Sequence, residues 1–144
     1  MRSSLSGPRK LLPKNHVILK DTMTLTFPLS TEQARAFAEE WIAAWNAHDL
    51  AAILRHYAPE VVLTSPVAAR ITGDPAVTGI DALGRYFARG LELFPNACFG
   101  LLDVFTGFST VVLVFTNQNG TRTAEWMQLN GDGKVVCVAA QYSA

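Results

Sequence analysis

The stretch from Ser30 to Tyr57 places the strongest constraint on the fold of this chain. It opens with a serine followed three residues later by Gln33, which is the pattern of a capping box. Apolar and aromatic residues then recur every three or four positions, the spacing of one helix face: Ala34, Phe37, Trp41, Ala44, Trp45 and His48. A long helix with two tryptophans on its buried face needs a broad partner surface, which the rest of the chain must supply.

A second, shorter helix and a change of period follow. Asp49 can cap this helix. Its apolar side carries Leu50, Ile53, Leu54 and Tyr57. Residues 61–65 then have the composition of a strand that Pro66 ends, and we expect residues 68–71 to form a short partner strand.

A third helix and four strands complete the pattern. The helix begins at residues 78–81 and ends before Pro95. Its apolar face carries Leu83, Phe87, Leu91 and Phe94, with Tyr86 beside it. The four strands are predicted at residues 97–105, 110–118, 121–129 and 134–142. Three helices followed by an antiparallel meander predict an α+β fold, with the helices on one face of a curved sheet.

Composition excludes several classes of protein. Apolar residues make up 49% of the 144 residues and charged residues 17%, so we expect one packed domain. The formal net charge of zero argues against binding to nucleic acid. No run of eighteen apolar residues is present, so no membrane span is expected. Cys98 and Cys137 lie in apolar, strand-like runs and are expected to be buried, reduced thiols.

Residues 1–29 differ in charge from the rest of the chain. They contain five basic residues and one acidic residue, whereas the remainder contains seven basic and eleven acidic residues. The short apolar pair at residues 11–12 is followed by Pro13, so it does not form the core of a signal peptide. We therefore expect a flexible basic extension over residues 1–29, a cytoplasmic domain over residues 30–144, and Met23 as an alternative start.

Several short segments carry a resemblance to a known family. They are residues 41–50, 57–62, 65–66, 79–83 and 130–136, which include the sequences WIAAWNAHDL, YAPEVV and NGDGKVV. Their order and spacing resemble the nuclear transport factor 2-like superfamily, which includes the SnoaL-like polyketide cyclases and the ketosteroid isomerases. The resemblance implies a cone-shaped fold, in which a bent antiparallel sheet wraps the long helix and leaves a mainly apolar pocket at one end. It does not fix the activity, because one fold serves many functions.

The turn at residues 119–120 determines which side chains face that pocket. An Asn-Gly pair favours a two-residue hairpin, which places Val114 opposite Glu125 and Val112 opposite Met127. Opposed residues share one face of a sheet, so these four side chains lie together. The resemblance implies that this face lines the pocket.

The opposite face of the same hairpin is expected to form a subunit contact. It carries Arg122, Trp126, Gln128, Leu113 and Phe115. Members of the family that the chain resembles commonly dimerise through the outer sheet face, and a large aromatic residue suits such a contact. We therefore predict a homodimer in which Trp126 and Arg122 contact the second copy.

Glu125 is the most informative residue of the sequence. A carboxyl group in an apolar cavity resists ionisation, so its pKa rises and it can donate a proton near neutral pH. The resemblance matches Glu125 to the carboxyl group that donates to the enolate in ketosteroid isomerases, and it matches the helix-one tyrosine to Trp41. It matches the proton-moving aspartate to Ser65, which argues against ketosteroid isomerase activity. Alternatively, Glu125 is a rim carboxylate paired with a cation such as Arg70.

Two functions remain open from the sequence. The first is binding of a small apolar or aromatic molecule, with isomerisation, cyclisation or hydrolysis of it and no metal or other cofactor. Glu125 is then the acid/base, and the ligand-binding residues are Trp41, Trp45, Tyr57, Ser65, Tyr86, Val112, Val114 and Met127. The second is a non-enzymatic association or carrier domain whose cavity is filled by its own side chains. The volume inside the cone distinguishes the two.

Overall fold

The computed structural model describes residues 17–18, 25–26 and 28–143. In chain order the elements are β1 (Val17–Ile18), β2 (Leu25–Thr26), α1 (Thr31–Asn46), α2 (Leu50–Leu54), β3 (Tyr57–Thr64), α3 (Pro66–Thr72), β4 (Ala76–Thr78), α4 (Ile80–Leu93), β5 (Gly100–Thr106), β6 (Thr110–Thr116), β7 (Arg122–Leu129) and β8 (Val135–Tyr142). The two short strands β1 and β2 pair with each other. The rest of the predicted extension before residue 28, including Met23, lies outside the described residues. No helix in the described ranges is long and apolar enough to cross a bilayer.

Strands β3 to β8 form one sheet in the order β4–β3–β8–β7–β6–β5. Neighbouring strands are antiparallel, except that β3 and β8 run parallel. Register shifts interrupt three of the pairings, and such irregularities bend strands and increase their twist. The predicted α+β class is confirmed, although three helices rather than two follow α1 in the described part.

Helix α1 begins and packs as its sequence predicts. The Ser30 hydroxyl accepts from the Gln33 amide at 3.0 Å, and the Gln33 side chain accepts from the Ser30 amide at 2.9 Å. This capping box satisfies two donors that a helix start leaves free. The buried stripe of the helix consists of Ala34, Ala38, Trp41, Ile42 and Ala44. Trp41 lies in the main core, between the helices and the sheet.

Helix α2 is shorter than predicted. Asp49 caps it by accepting from the Ala52 amide at 3.1 Å, but the helix ends at Leu54. Tyr57 opens β3 and pairs with Val135 of β8, so its placement on the helix is wrong. Pairing with a neighbouring strand has replaced the further helical turn.

Residues after β3 form a helix, so the predicted short strand at 68–71 is wrong. Ser65 is the N-cap of α3, and Pro66 occupies the first turn, where a missing N–H costs nothing. Gly73 ends the helix with φ +85°. The partner of β3 is instead β4.

The turn between β6 and β7 has one residue more than predicted. The Asn117 amide donates to the Thr121 carbonyl at 2.9 Å, which leaves three residues in the loop. The third of them, Gly120, has φ +78°, as a three-residue hairpin requires. The predicted two-residue loop is therefore wrong.

This extra loop residue shifts the register of β6 against β7 by one residue, so the side chains of β6 face the opposite sides from those predicted. The observed pairs are Leu113–Glu125 and Val111–Met127. Alternate residues of a strand face opposite sides, so Val112 and Val114 lie on the outer face of the sheet, and their predicted position in the pocket is wrong. Phe115, predicted to lie outside, is buried on the inner face.

The two cysteines differ from each other in exposure. Both are free thiols; Cys137 is half-buried, and Cys98 is exposed. The prediction of a buried thiol is therefore wrong for Cys98. The reason is that β5 begins only at Gly100, which leaves Cys98 in the loop before the strand.

Candidate functional site

A cavity of about 550 Å³ lies between the inner face of the sheet and helices α3 and α4. Its walls come from the ends of β3, β6, β7 and β8, from α4, and from the loop before β5. Cavities of 300 to 1,000 Å³ are typical of small-molecule sites. The side chains of the described residues therefore leave this interior open.

Aromatic rings form one side of this cavity. Trp45 meets Phe87 edge to face, with 4.9 Å between the ring centroids. Phe99 lies 5.6 Å from Trp45 and 4.7 Å from Phe115. All four rings line the cavity. Such an arrangement favours a flat, ring-containing ligand, because aromatic faces and edges pack well against other rings.

Polar side chains from β7, β8 and the N-cap of α3 also line the cavity. The Ser65 hydroxyl lies 3.4 Å from the Tyr142 hydroxyl. Tyr142 stands opposite Thr123 in the β7–β8 pairing, and Glu125 stands opposite the small residue Ala140. Tyr142 and Glu125 are therefore diagonal neighbours, at a separation that long side chains can bridge. Phe115 of β6 is a diagonal neighbour of Glu125 on the other side, so the carboxyl group lies between an aromatic ring and a hydroxyl group on the sheet.

Glu125 lines the cavity without a partner. Among the described residues its carboxyl group forms no ion pair, and the pairing with Arg70 considered above is not formed. Burial raises the pKa of Glu125 from 4.5 to about 7. The group is therefore present in both protonation states near neutral pH, which suits a general acid or base.

The nearby tyrosines remain protonated over the same pH range. Burial raises the pKa of Tyr86 to about 12 and also raises the pKa of Tyr142. Burial, assisted by the nearby Glu125 carboxylate, raises the pKa of Tyr57 as well. Neutral phenols donate hydrogen bonds. The Tyr86 and Tyr142 hydroxyls therefore give the cavity two hydrogen-bond donors.

The predicted site residues divide into three groups. Those that line the cavity are Trp45, Ser65, Tyr86 and Glu125. Three more are buried in the core and do not line it: Trp41, Tyr57 and Met127. The indole N–H of Trp41 donates to the Tyr57 hydroxyl oxygen at 2.9 Å, so these two side chains satisfy each other. The last two, Val112 and Val114, lie on the outer face.

Sequence reasoning missed several residues of the site. Tyr142 is the clearest case, because it ends the predicted strand at 134–142 and alternation along β8 brings it to the inner face with Ala140. Phe99 was missed for a different reason, and Arg70 was named only as a possible ion-pair partner of Glu125. Each lies in a segment whose structure was predicted wrongly, a strand in place of α3 or a strand in place of the loop before β5.

Three buried polar atoms around the cavity have no hydrogen-bond partner among the described residues. They are Trp45 Nε1, Gln118 Oε1 and Thr123 Oγ1. Each of these residues lines the cavity. Buried polar groups nearly always have a partner, so these three atoms are available to hydrogen-bond a polar group in the cavity. Within the described ranges, no three His, Cys, Asp or Glu side chains lie together as metal ligands would.

A bent sheet packed on a long helix, with a cavity at one end, defines the nuclear transport factor 2-like class of folds. A solved protein of that class and of unknown function, from Cytophaga hutchinsonii, is 15% identical over 76% of this chain and 89% of its own, with a TM-score of 0.59. The match at this identity concerns the fold. It agrees with the resemblance seen in the sequence.

The chain belongs to the SnoaL-like domain family, whose model matches residues 38–138. A SnoaL-like protein of unknown function from Burkholderia thailandensis is 32% identical, with a TM-score of 0.78 over 81% of this chain and 99% of its own. A protein from Agrobacterium tumefaciens, provisionally described as an isomerase of the SnoaL-like family, is 15% identical, with a TM-score of 0.65 over 79% of this chain and all of its own. No curated protein matches the chain.

Proposed function

We propose that this protein binds a small, mainly apolar, ring-containing molecule in the cavity and catalyses a proton transfer at a carbon atom next to a carbonyl group. The observation that carries the proposal is Glu125, an unpaired carboxyl group with a pKa of about 7 in a cavity of about 550 Å³. A pKa near the working pH is what an efficient acid/base catalyst needs. The reaction class is an isomerisation or an aldol-type cyclisation.

The proton moves between the substrate and one carboxyl group. Ionised Glu125 takes the proton from the carbon atom, and the electron pair of the broken C–H bond moves into an enolate whose charge lies on the carbonyl oxygen. In an isomerisation, protonated Glu125 returns the proton to another carbon of the same system. In a cyclisation, the enolate carbon forms a bond to a second carbonyl carbon, and the resulting alkoxide takes up the proton.

The tyrosine hydroxyls would stabilise the enolate. Tyr86 and Tyr142 both line the cavity within electrostatic reach of Glu125, and both stay protonated at neutral pH because burial raises their pKa. Donors fixed in place around a developing negative charge lower the barrier, since no solvent has to reorganise. Ser65, 3.4 Å from the Tyr142 hydroxyl, would orient that donor.

Hydrogen–deuterium exchange at carbon tests the proposal without knowledge of the natural substrate. The probe is 2-tetralone, a bicyclic ketone whose exchange in D₂O is followed by NMR. We expect the protein to accelerate exchange over buffer, with a rate that rises as the pH passes about 7, because the ionised form of Glu125 is the base. Glu125→Gln should lower the protein-catalysed rate by roughly 10²- to 10⁴-fold.

A matched control separates chemistry from the loss of a charge. Glu40→Gln removes an exposed carboxylate from α1 and should leave the exchange rate unchanged. An unchanged rate in Glu125→Gln would remove the catalytic assignment. Saturable binding of 2-tetralone by the wild type with no exchange above buffer would instead identify a carrier, the second function that the sequence leaves open.

A further inference from the structure

The cavity has a second charged residue at its rim. Arg70, in the last turn of α3, lines the cavity and is exposed, whereas Glu125 lies against the inner sheet surface. They are the two charged residues among the described residues that line it. Neither forms an ion pair within the described part of the chain. The cavity therefore offers a free cation at its rim and an unpaired carboxyl group inside.

The hydroxyl groups lie between these two charges. The positive charge of Arg70 acts on Tyr86 and Tyr142 against the burial that raises their pKa, and the carboxylate of Glu125 raises the pKa of both. Both tyrosines are therefore within electrostatic reach of each charge. Arg70, the two tyrosine hydroxyls and Glu125 therefore form one group of interacting polar side chains in the cavity wall.

From this geometry we propose that the ligand is a ring-containing carboxylic acid, bound with its carboxylate at the rim on Arg70 and its reacting group inside near Glu125. The inference rests on the proposed function and adds the substrate class and the direction of binding to it. Arg70 is then a specificity-determining residue and not a catalytic one.

The choice of a carboxylate follows from the donors and charges present. A guanidinium group is planar and binds a carboxylate through two parallel hydrogen bonds. One arginine balances one negative charge, so a monoanion fits better than a doubly charged group such as a phosphate ester. When Glu125 is ionised, the reverse orientation would place two carboxylates together, where like charges repel; among the described residues, Arg70 supplies the cation of the cavity lining.

A pair of probes of the same shape, one anionic and one neutral, tests the proposal. The probes are 2-naphthoate and 2-naphthamide, and binding is measured by calorimetry at pH 6, where Glu125 is mostly protonated and naphthoate is anionic. We expect the wild type to bind naphthoate about fivefold more tightly than naphthamide, as a solvent-accessible ion pair allows. Arg70→Gln should abolish this preference and leave the affinity for naphthamide nearly unchanged.

Arg85 supplies the matched control. It is an exposed arginine on the neighbouring helix α4 and does not line this cavity, so Arg85→Gln should keep the fivefold preference. Arg70→Lys should restore part of it, because lysine keeps the charge without the planar pair of donors.

Other outcomes overturn the proposal in ways that can be told apart. Equal affinity of the wild type for both probes, or a preference that survives in Arg70→Gln, contradicts the rim site and leaves the proposed function standing. A preference lost in Glu125→Gln and kept in Arg70→Gln places the carboxylate in the interior. Binding of neither probe contradicts the proposed ligand class, and the exchange of 2-tetralone then decides the proposed function separately.

Discussion

Two tryptophans one turn apart on α1 occupy opposite kinds of environment. Trp41 is 1% exposed, and its indole N–H donates to Tyr57 at 2.9 Å. Trp45 is half-buried and lines the cavity, and its indole N–H has no partner among the described residues. Residue type and helix face are the same. On the same face of α1, Trp41 therefore stabilises the packed core, whereas Trp45 forms part of the cavity wall.

The rings of Phe99 and Phe115 mark the boundary between the packed core and the cavity. Phe99 lies 6.0 Å from Trp41 and 5.6 Å from Trp45, and Phe115 lies 5.3 Å from Trp41. Both phenylalanines also line the cavity, so they separate it from the packed core. On the Trp41 side of these rings, side chains fill the space between helix and sheet. On the Trp45 side the space is open, so the lining residues lack packing contacts that they would make in a filled core. Such a local loss of stability is common at sites that bind ligands.

The largest predicted effect tests this difference directly. Trp41→Ala should lower the free energy of unfolding by about 3–5 kcal/mol, because it leaves a void in a packed core and an unpaired Tyr57 hydroxyl. Trp45→Ala should cost about 1–2 kcal/mol, since its ring already borders open space. Urea unfolding followed by circular dichroism measures both. Equal losses in the two variants would mean that the cavity is not open in solution.

Glu125, in the cavity, should make the free energy of unfolding depend on pH. Its pKa is 4.5 in the unfolded chain and about 7 in the fold, so the carboxyl group binds its proton more tightly when the protein is folded. The resulting stability is fully present below pH 4.5 and is lost as the pH rises through 7. Between pH 5 and pH 8 the free energy of unfolding should therefore fall by roughly 2–3 kcal/mol on account of this group.

Glu125→Gln removes that dependence. The variant should be more stable than the wild type at pH 8 and should differ little from it at pH 5. Glu40→Gln, which changes an exposed carboxylate, should keep the wild-type slope. The measurement is urea unfolding at both pH values. A slope that persists in Glu125→Gln would show that another group causes it and that Glu125 is well solvated.

How much of this could be read from the sequence depends on the range of the interactions. The α1 face and its cap are local patterns, and they were predicted correctly from Ser30 onwards. The Ser65–Pro66 pair was an equally local signal. The end of the strand before Pro66 was predicted correctly, but the N-cap and first-turn proline of a following helix were missed. These features depend on neighbours in sequence, which is why they can be recovered from it.

The cavity itself depends on contacts that are distant in sequence. Glu125 faces inward as predicted, but the residues opposite it were wrong by one position because the turn residue Asn117 closes a three-residue loop. An Asn-Gly pair is compatible with either loop length, so propensity alone does not decide the register. The size of the cavity beside Phe99 depends on the positions of α4 and of the loop before β5, and no local sequence pattern predicts these positions.

The third tryptophan extends the comparison to the outer face of the sheet. Trp126 pairs with Val112 on one side and Ala139 on the other, and Val112 pairs in turn with Phe105, which is 56% exposed. These four side chains form an apolar row across four neighbouring strands. Within the described part of the chain Phe105 is exposed and the other three side chains are half-buried, so we propose the predicted second copy of the chain as the occupant of this row.

This contact predicts the smallest effect on the fold and a clear effect on assembly. Wild-type protein should sediment as a dimer at micromolar concentration. Trp126→Asp should sediment as a monomer with an unchanged circular dichroism spectrum. The reason is that a charge buried in the interface costs much more free energy than the same charge on a solvent-exposed strand of the monomer. Leu93→Asp is the matched control, since Leu93 is an exposed apolar residue at the end of α4 and away from the outer face. A monomeric wild type would contradict the predicted homodimer and leave the difference between Trp41 and Trp45 untouched, because neither tryptophan lies on that face.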